Sequence, residues 1–211
     1  MAIDARRPTL CLVTDRRTIG DRPLAALVGE AARAGVDLIQ IRERDLDDRA
    51  LVTLAKAAVA AVHGTPARVI VNDRTDVALA AGAAGVHLRA DSIPAARVRA
   101  VAGADFLVGR SVHDEDEAAA SDAEGACDYL IFGTVFPSSS KPPAHKAAGL
   151  SALARVCARV TTPVLAIGGL SIERAPDVAR AGAAGVAAIQ LFAGAADLRE
   201  TVRALRRAFD T

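Results

Sequence analysis

The sequence predicts a single closed (β/α)8 barrel of the α/β class, and three observations carry that prediction. Eight short, largely β-branched apolar runs alternate with Ala-rich helical stretches along the whole chain. Gly35, Gly82, Gly103, Gly125 and Gly182 each follow an Ala-rich stretch, where a left-handed residue ends a helix at least steric cost. Ala81 to Val86 and Ala181 to Val186 read identically, Ala-Gly-Ala-Ala-Gly-Val, as two helix-to-strand connections of one repeated unit would.

The first strand is Leu10 to Thr14, and a helical pattern runs from Pro23 to Arg33. Leu38 to Arg42 is the second strand and about Asp47 to Val62 the second helix. Val69 to Asn72, Val86 to Leu88, Phe106 to Gly109, Tyr129 to Phe132, Val164 to Ile167 and Val186 to Ile189 complete the strands. Parallel strands with right-handed crossovers can close into a barrel or spread into an open doubly wound sheet. Thr14-Asp15-Arg16-Arg17 follows the first strand, not the Gly-x-Gly-x-x-Gly turn of the open sheet, so the barrel is preferred. No linker divides the chain, and residues 1–211 read as one domain. The one long irregular segment is Pro137 to Gly149, and polar loops of that length are usually functional or mobile.

Composition narrows the function. The chain is 52% hydrophobic but only 3% aromatic, with no Trp, which suits layered packing of Ala, Val, Leu and Ile. A net charge of +1, with both signs interspersed and no basic stripe, argues against nucleic acid. Met1 to Pro8 lacks the apolar core of a secretory leader, and no apolar run reaches membrane-spanning length. Cys11, Cys127 and Cys157 are odd in number and sit in apolar surroundings, as reduced packing residues of a cytoplasmic protein would.

Residues just past each strand line the active mouth of such a barrel. Period-two alternation puts Gln40, Arg42 and Arg44 on one face, where two guanidiniums could grip phosphate oxygens or be neutralised by Glu43. Asp73 is a hard oxygen ligand for Mg²⁺, or else a cap for a helix starting near Thr75. His87 and His113 follow strands and could move protons, although such histidines more often satisfy backbone groups; His63 and His145 read as surface or loop residues. Ser138-Ser139-Ser140-Lys141 offers hydroxyls and an ammonium to an anion, or is a solvated turn. Gly168-Gly169, followed by Ser171 as a helix cap, would present bare amides to a phosphate at the strand seven–eight corner; the plain alternative is a tight turn.

These segments, in this order, resemble the thiamine phosphate synthase and TenI superfamily. The likeness runs from Leu12-Val13-Thr14-Asp15 to Gly185-Val186. Its most specific pieces are Gln40-Ile41-Arg42-Glu43-Arg44, Asn72-Asp73-Arg74, Gly85-Val86-His87-Leu88, Val135-Phe136-Pro137 and Ala166-Ile167-Gly168-Gly169. The resemblance implies coupling of a hydroxymethylpyrimidine diphosphate to a thiazole phosphate with release of pyrophosphate. A dissociative route is implied, in which Mg²⁺ and cationic side chains draw the diphosphate away. Gln40, Arg42, Arg44 and Asn72 then match the diphosphate positions, Asp73 the metal, Ser111 a substrate-contacting serine, and Gly168 and Gly169 the thiazole-phosphate amides. Ser138, Ser140 and Lys141 stand where the family has Thr-x-Thr-Lys. Lys141, Ser111 and Arg42 become the catalytic candidates.

Three departures stand out. The family's second metal carboxylate falls on Ser92, with Asp91 one residue earlier. A serine near the end of the eighth strand is Gln190 here, a larger group at the phosphate corner. Gly109-Arg110-Ser111-Val112-His113 is closer to the TenI branch, yet Thr134 stands where thiazole tautomerases have His. Thiamine phosphate synthase is therefore the leading expectation, ahead of a thiazole tautomerase using His113 and of a non-catalytic precursor-binding regulator. The expected partners are phosphorylated small molecules, with neither nucleic acid nor membrane, and a homodimer is left open.

Overall fold

Eight parallel strands close on themselves in a computed structural model that describes residues 7–138, 142 and 146–210. The strands are β1 (Thr9–Val13), β2 (Leu38–Ile41), β3 (Arg68–Asn72), β4 (Gly85–Leu88), β5 (Leu107–Val112), β6 (Tyr129–Gly133), β7 (Val164–Ile167) and β8 (Gly185–Ala188). They hydrogen-bond in sequence order, and β1 pairs with β8 through Thr9 opposite Gly185 to complete the ring. The helices are α1 (Leu24–Ala34), α2 (Asp48–Ala61), α3 (Thr75–Ala81), α4 (Ala95–Ala102), α5 (Glu115–Glu124), α6 (Gly149–Arg159), α7 (Ala175–Arg180), α8 (Gln190–Ala193) and α9 (Leu198–Ala208). No helix among the described residues is long and apolar enough to cross a membrane.

Local chemistry sets the helix ends. Asp47 accepts from the Ala50 amide at 2.8 Å to start α2, and Asp114 does the same for α5 with Glu117, also at 2.8 Å. Gly35, Gly82 and Gly125 close α1, α3 and α5 in the left-handed conformation.

Two apolar layers hold the barrel. Outward strand residues pack against the helices, while Cys11, Leu38, Ile70, Leu107, Tyr129 and Leu165 form a second cluster inside. Tyr129 is the largest side chain in there, and Gly109 makes its place: a Cβ at Gly109 would lie 2.0 Å from the Tyr129 Cζ. Burial pushes the Cys11 thiol up to about 12 and the Cys157 thiol to about 11, so both are protonated packing groups.

Carboxylates pin the ends of the strands away from the mouth. Asp37 accepts from the Leu10 amide at 2.8 Å and pairs with Arg206 of α9 at 2.8 Å. Arg206 also donates to the carbonyls of Gly35 and Pro8, so the last helix is tied across the seam between β1 and its neighbours. Asp128 repeats the device with the Val108 amide at 2.8 Å and Arg99 at 2.5 Å.

Three expectations about element bounds are corrected. β5 does not stop at Gly109 but continues to Val112, so Arg110 and Ser111 are strand residues. His87 lies within β4, not after it. β8 ends at Ala188, and Gln190 opens α8.

Candidate active site

Alternation along the strands builds the floor of the site. Gln40 of β2, Asn72 of β3, His87 of β4 and Ser111 of β5 share the inward parity, and all four line one cavity of about 1590 Å³ at the C-terminal ends of the strands. Gln40 Nε2 donates to Asn72 Oδ1 at 3.0 Å, which fixes both carboxamides. His87 is buried between Tyr129 Oη, 3.2 Å from Nδ1, and Ser111 Oγ, 2.9 Å from Nε2. Burial, with Arg42 and Arg110 nearby, pushes the imidazole down to about 3, while burial raises the Tyr129 phenol well above its ordinary value. Both groups are therefore neutral at physiological pH. The buried phenol needs an acceptor, and Nδ1 is its recorded partner among the described residues, which leaves Nε2–H to donate to Ser111. The Ser111 hydroxyl hydrogen is then free for a group in the cavity.

A cationic wall rises from the end of β2. Arg42 is half-buried, and desolvation and then Arg44 pull its guanidinium below the ordinary arginine value. Neither Arg42 nor Arg44 makes a direct ion pair among the described residues, and both line the cavity. Glu43 does not neutralise them. It is buried, accepts from Thr14 Oγ1 at 2.6 Å and from the Arg16 amide at 3.1 Å, and lies 3.5 Å from Arg16 Nη1. Arg42 and Arg44 thus keep unspent charge toward the cavity, the arrangement that favours a polyanion. β2 itself stops at Ile41, so strand alternation does not reach Arg44; a turn carries it to the rim.

At the next corner, Asp73 holds a left-handed backbone, φ 59°, and its amide donates to the His87 carbonyl at 2.8 Å. It does not cap α3, whose preceding residue Arg74 makes no side-chain cap either. Asp73 Oδ1 instead takes the Ser92 hydroxyl, and Arg89 Nε lies 3.4 Å from Oδ2. Asp91 also lines the cavity and makes a two-point pair with Arg89 at 2.9 and 3.0 Å, which holds its carboxyl below the usual range.

The opposite corner is made by the ends of β6 and β7. Gly168 and Gly169 have φ of 102° and 60°, and a Cβ on Gly168 would stand 2.3 Å from Thr134 Cγ2. The Gly168 carbonyl takes the Phe136 amide at 3.1 Å, but neither glycine amide donates to backbone among the described residues. Ser171 does not cap a helix, because α7 starts only at Ala175. The bare amides therefore come from a glycine turn, not from a helix start. Arg174 covers this turn, donating to the Gly169 carbonyl at 2.5 Å while its guanidinium lies 4.7 Å over the Phe136 ring.

A family model described as thiamine monophosphate synthase matches residues 10–192. The chain belongs to the thiamine monophosphate synthase family. A Roseiflexus castenholzii thiamine-phosphate synthase is 40% identical over 199 residues, covering 94% of this chain and 87% of the relative. A Methanoculleus marisnigri thiamine-phosphate synthase is 40% identical over 197 residues, covering 93% of each chain. The solved thiamine phosphate pyrophosphorylase of Pyrococcus furiosus superposes with a TM-score of 0.84 at 32% identity, over 98% of this chain and 97% of that one.

Against the pattern of the thiamine monophosphate synthase family, the structure brings Gln40, Arg42, Arg44, Asn72, Ser111, Ser138, Gly168, Gly169 and Gln190 to a single cavity. The Gln190 side-chain oxygen lies 3.2 Å from the Cβ position of Gly194, folded back along α8. Ser140 and Lys141, with Ser139 and His145, lie outside the described residues. His113 is on the rim, 56% exposed and 3.0 Å from Glu117. His63 is exposed, as expected. Tyr129 and Arg174 were missed. Tyr129 had a signal, since it shares the inward parity of Ile131, whereas nothing local marks Arg174 as a cover for a turn five residues earlier. Among the described residues no three His, Cys, Asp or Glu side chains gather as metal ligands. One carboxylate and one hydroxyl, Asp73 and Ser92, nonetheless suit a magnesium ion that shares its shell with substrate phosphates and water.

Proposed function

We propose that this chain is a thiamine-phosphate synthase, a transferase that joins a hydroxymethylpyrimidine diphosphate to a thiazole phosphate and releases pyrophosphate. The observation that supports it best is the pairing, in one cavity of about 1590 Å³, of two unneutralised guanidiniums with a bare-amide turn on the facing wall. That volume exceeds the range of roughly 300–1,000 Å³ typical of one small ligand and suits two reactants side by side.

In this reading Arg42 and Arg44 take the diphosphate and stabilise the charge that grows on it as its bond to the pyrimidine methylene breaks. Gln40 and Asn72 orient its oxygens. Ser111, its oxygen held by His87, directs its hydrogen at the pyrimidine. The Gly168 and Gly169 amides hold the thiazole phosphate so that the ring nitrogen supplies the electron pair for the new carbon–nitrogen bond. Asp73 and Ser92 would hold Mg²⁺, which supplies further positive charge to the leaving diphosphate. Lys141 and Ser140 of the β6–α6 connection are assigned to the same leaving group, and Gln190 to the phosphate corner. Three thiols without disulfide partners support a reducing, cytoplasmic setting.

Purified protein incubated with both substrates, with and without Mg²⁺, should yield thiamine phosphate and pyrophosphate in equal amounts. Proton exchange on the thiazole phosphate without any coupling would overturn the synthase reading in favour of a tautomerase.

A further inference from the structure

The loop after β4 carries a charge that the synthase reading does not use. Arg89 lines the same cavity as Arg42 and Arg44 and stands next to Asp73, the carboxylate suited to a metal. Its Nε is 3.4 Å from Asp73 Oδ2, its amide is 3.4 Å from Asp73 Oδ1 and 3.1 Å from Ser92 Oγ, and Asp91, also in the cavity lining, pairs with its guanidinium. The loop is not loosely placed. Arg110, a buried strand residue, turns outward from the barrel and donates to the carbonyls of Arg89, Ala90 and Ile93. A buried guanidinium tied to three carbonyls of one loop fixes that loop's path, because releasing it would strand a desolvated charge. Arg89 is thereby delivered to Asp73 by the backbone, and its side chain, 49% exposed, keeps freedom to change partner.

The electrostatics at this corner follow. Asp91 is 75% exposed, and a surface ion pair of that kind is weak. A diphosphate in the cavity offers the same planar fork several negative oxygens and more charge, so the guanidinium gains by exchanging Asp91 for it. A divalent cation at Asp73 meets the opposite situation, since in the absence of a diphosphate a guanidinium already stands 3.4 Å from the carboxylate.

We propose that Arg89 is a diphosphate-binding residue, a cation built into the protein beside Asp73 that lets the chain bind pyrophosphate without a metal and weakens its hold on free Mg²⁺. The proposal rests on the synthase reading above and names the residue that supplies charge where only one carboxylate remains for the ion.

Calorimetric titration of the full chain tests it, using sodium pyrophosphate in excess EDTA, sodium pyrophosphate with Mg²⁺, and Mg²⁺ alone, on wild type, Arg89→Gln and Arg42→Gln. Wild type is expected to bind pyrophosphate in EDTA. Arg89→Gln should weaken that binding about tenfold or more and tighten Mg²⁺ alone by about tenfold, with an unchanged circular dichroism spectrum. Two results overturn the proposal while leaving the synthase reading standing: pyrophosphate binding in EDTA that is lost in Arg42→Gln but unaltered in Arg89→Gln, or wild-type binding that EDTA abolishes. Failure of the wild type to bind pyrophosphate under any of these conditions would remove the synthase reading and this proposal with it.

Discussion

Replacing His87 by Asn should flatten the acid side of the protein's stability profile. The wild-type imidazole is held near 3 by burial, against an ordinary value of 6.5 in the unfolded chain. Its folded value is depressed, so below about pH 6.5 the unfolded chain takes up a proton that the folded chain refuses, and stability falls as pH falls toward the folded value. The loss is on the order of 1 kcal/mol at pH 5.5 and on the order of 2–3 kcal/mol at pH 4.5. Both pH values lie well above the folded value, so the unfolded imidazole controls the result. Asn lacks the titration but keeps a donor and an acceptor for Ser111 and Tyr129. Carboxylates held low by arginines or hydroxyls, such as Asp76 and Asp122, also titrate on the acid side, yet they are common to both proteins and cancel in the difference. Urea unfolding of wild type and His87→Asn at pH 7, 5.5 and 4.5 measures it. Relative to pH 7, the wild type should lose on the order of 1 kcal/mol more than His87→Asn at pH 5.5 and on the order of 2–3 kcal/mol more at pH 4.5. Parallel profiles would show that His87 is not buried as a neutral ring, and would remove the argument for a donor-ready Ser111.

Three further outcomes are expected. Glu43→Ala, which strands the Thr14 hydroxyl and the Arg16 amide, should lower unfolding free energy by about 2–4 kcal/mol in urea titration, with Glu43→Gln costing less. Gly168→Ala drives a methyl into Thr134 at a left-handed position, so it should weaken thiazole-phosphate binding by at least about tenfold in calorimetry and also lower the melting temperature. Ser92→Asp adds a second carboxylate beside Asp73 and should reduce the Mg²⁺ concentration that half-saturates the coupling rate by about tenfold; an unchanged requirement would place the metal elsewhere.

The sequence carries the barrel plainly because its signals are local: an apolar strand run repeated eight times, with glycines closing several of the helices between. The same parity that marks Leu38 and Ile70 as interior marks Gln40 and Asn72 as floor residues, so those two were legible without contacts. Failures came where a distant segment decides. Gly109-Arg110-Ser111 looks like a turn, yet pairing with Tyr129 to Phe132 holds it as strand. Glu43 next to two arginines suggests an ion pair, but Thr14 and Arg16, 29 and 27 residues away, claim its oxygens. Ser171 after two glycines suggests a cap, although three more residues intervene before α7 begins at Ala175. Nothing local marks Arg89; its nearness to Asp73 depends on Arg110 gathering the loop from a neighbouring strand.

The latch at Arg206 has a bearing on synthesis. β1 finds its second neighbour only in β8, the last strand to be translated, and Arg206, further on in α9, ties that helix to Pro8 and Asp37 just ahead of β1 and β2. A nascent chain leaving the ribosome therefore carries an open-edged sheet until β8 has emerged, with the backbone groups of Thr9–Val13 unpaired on one side. Ribosome-bound chains arrested before residue 198 should be cut readily within β1 by protease, and full-length chains should resist. Closure of this ring waits on the last of its eight strands, and the interval before it is when the protein most needs a chaperone.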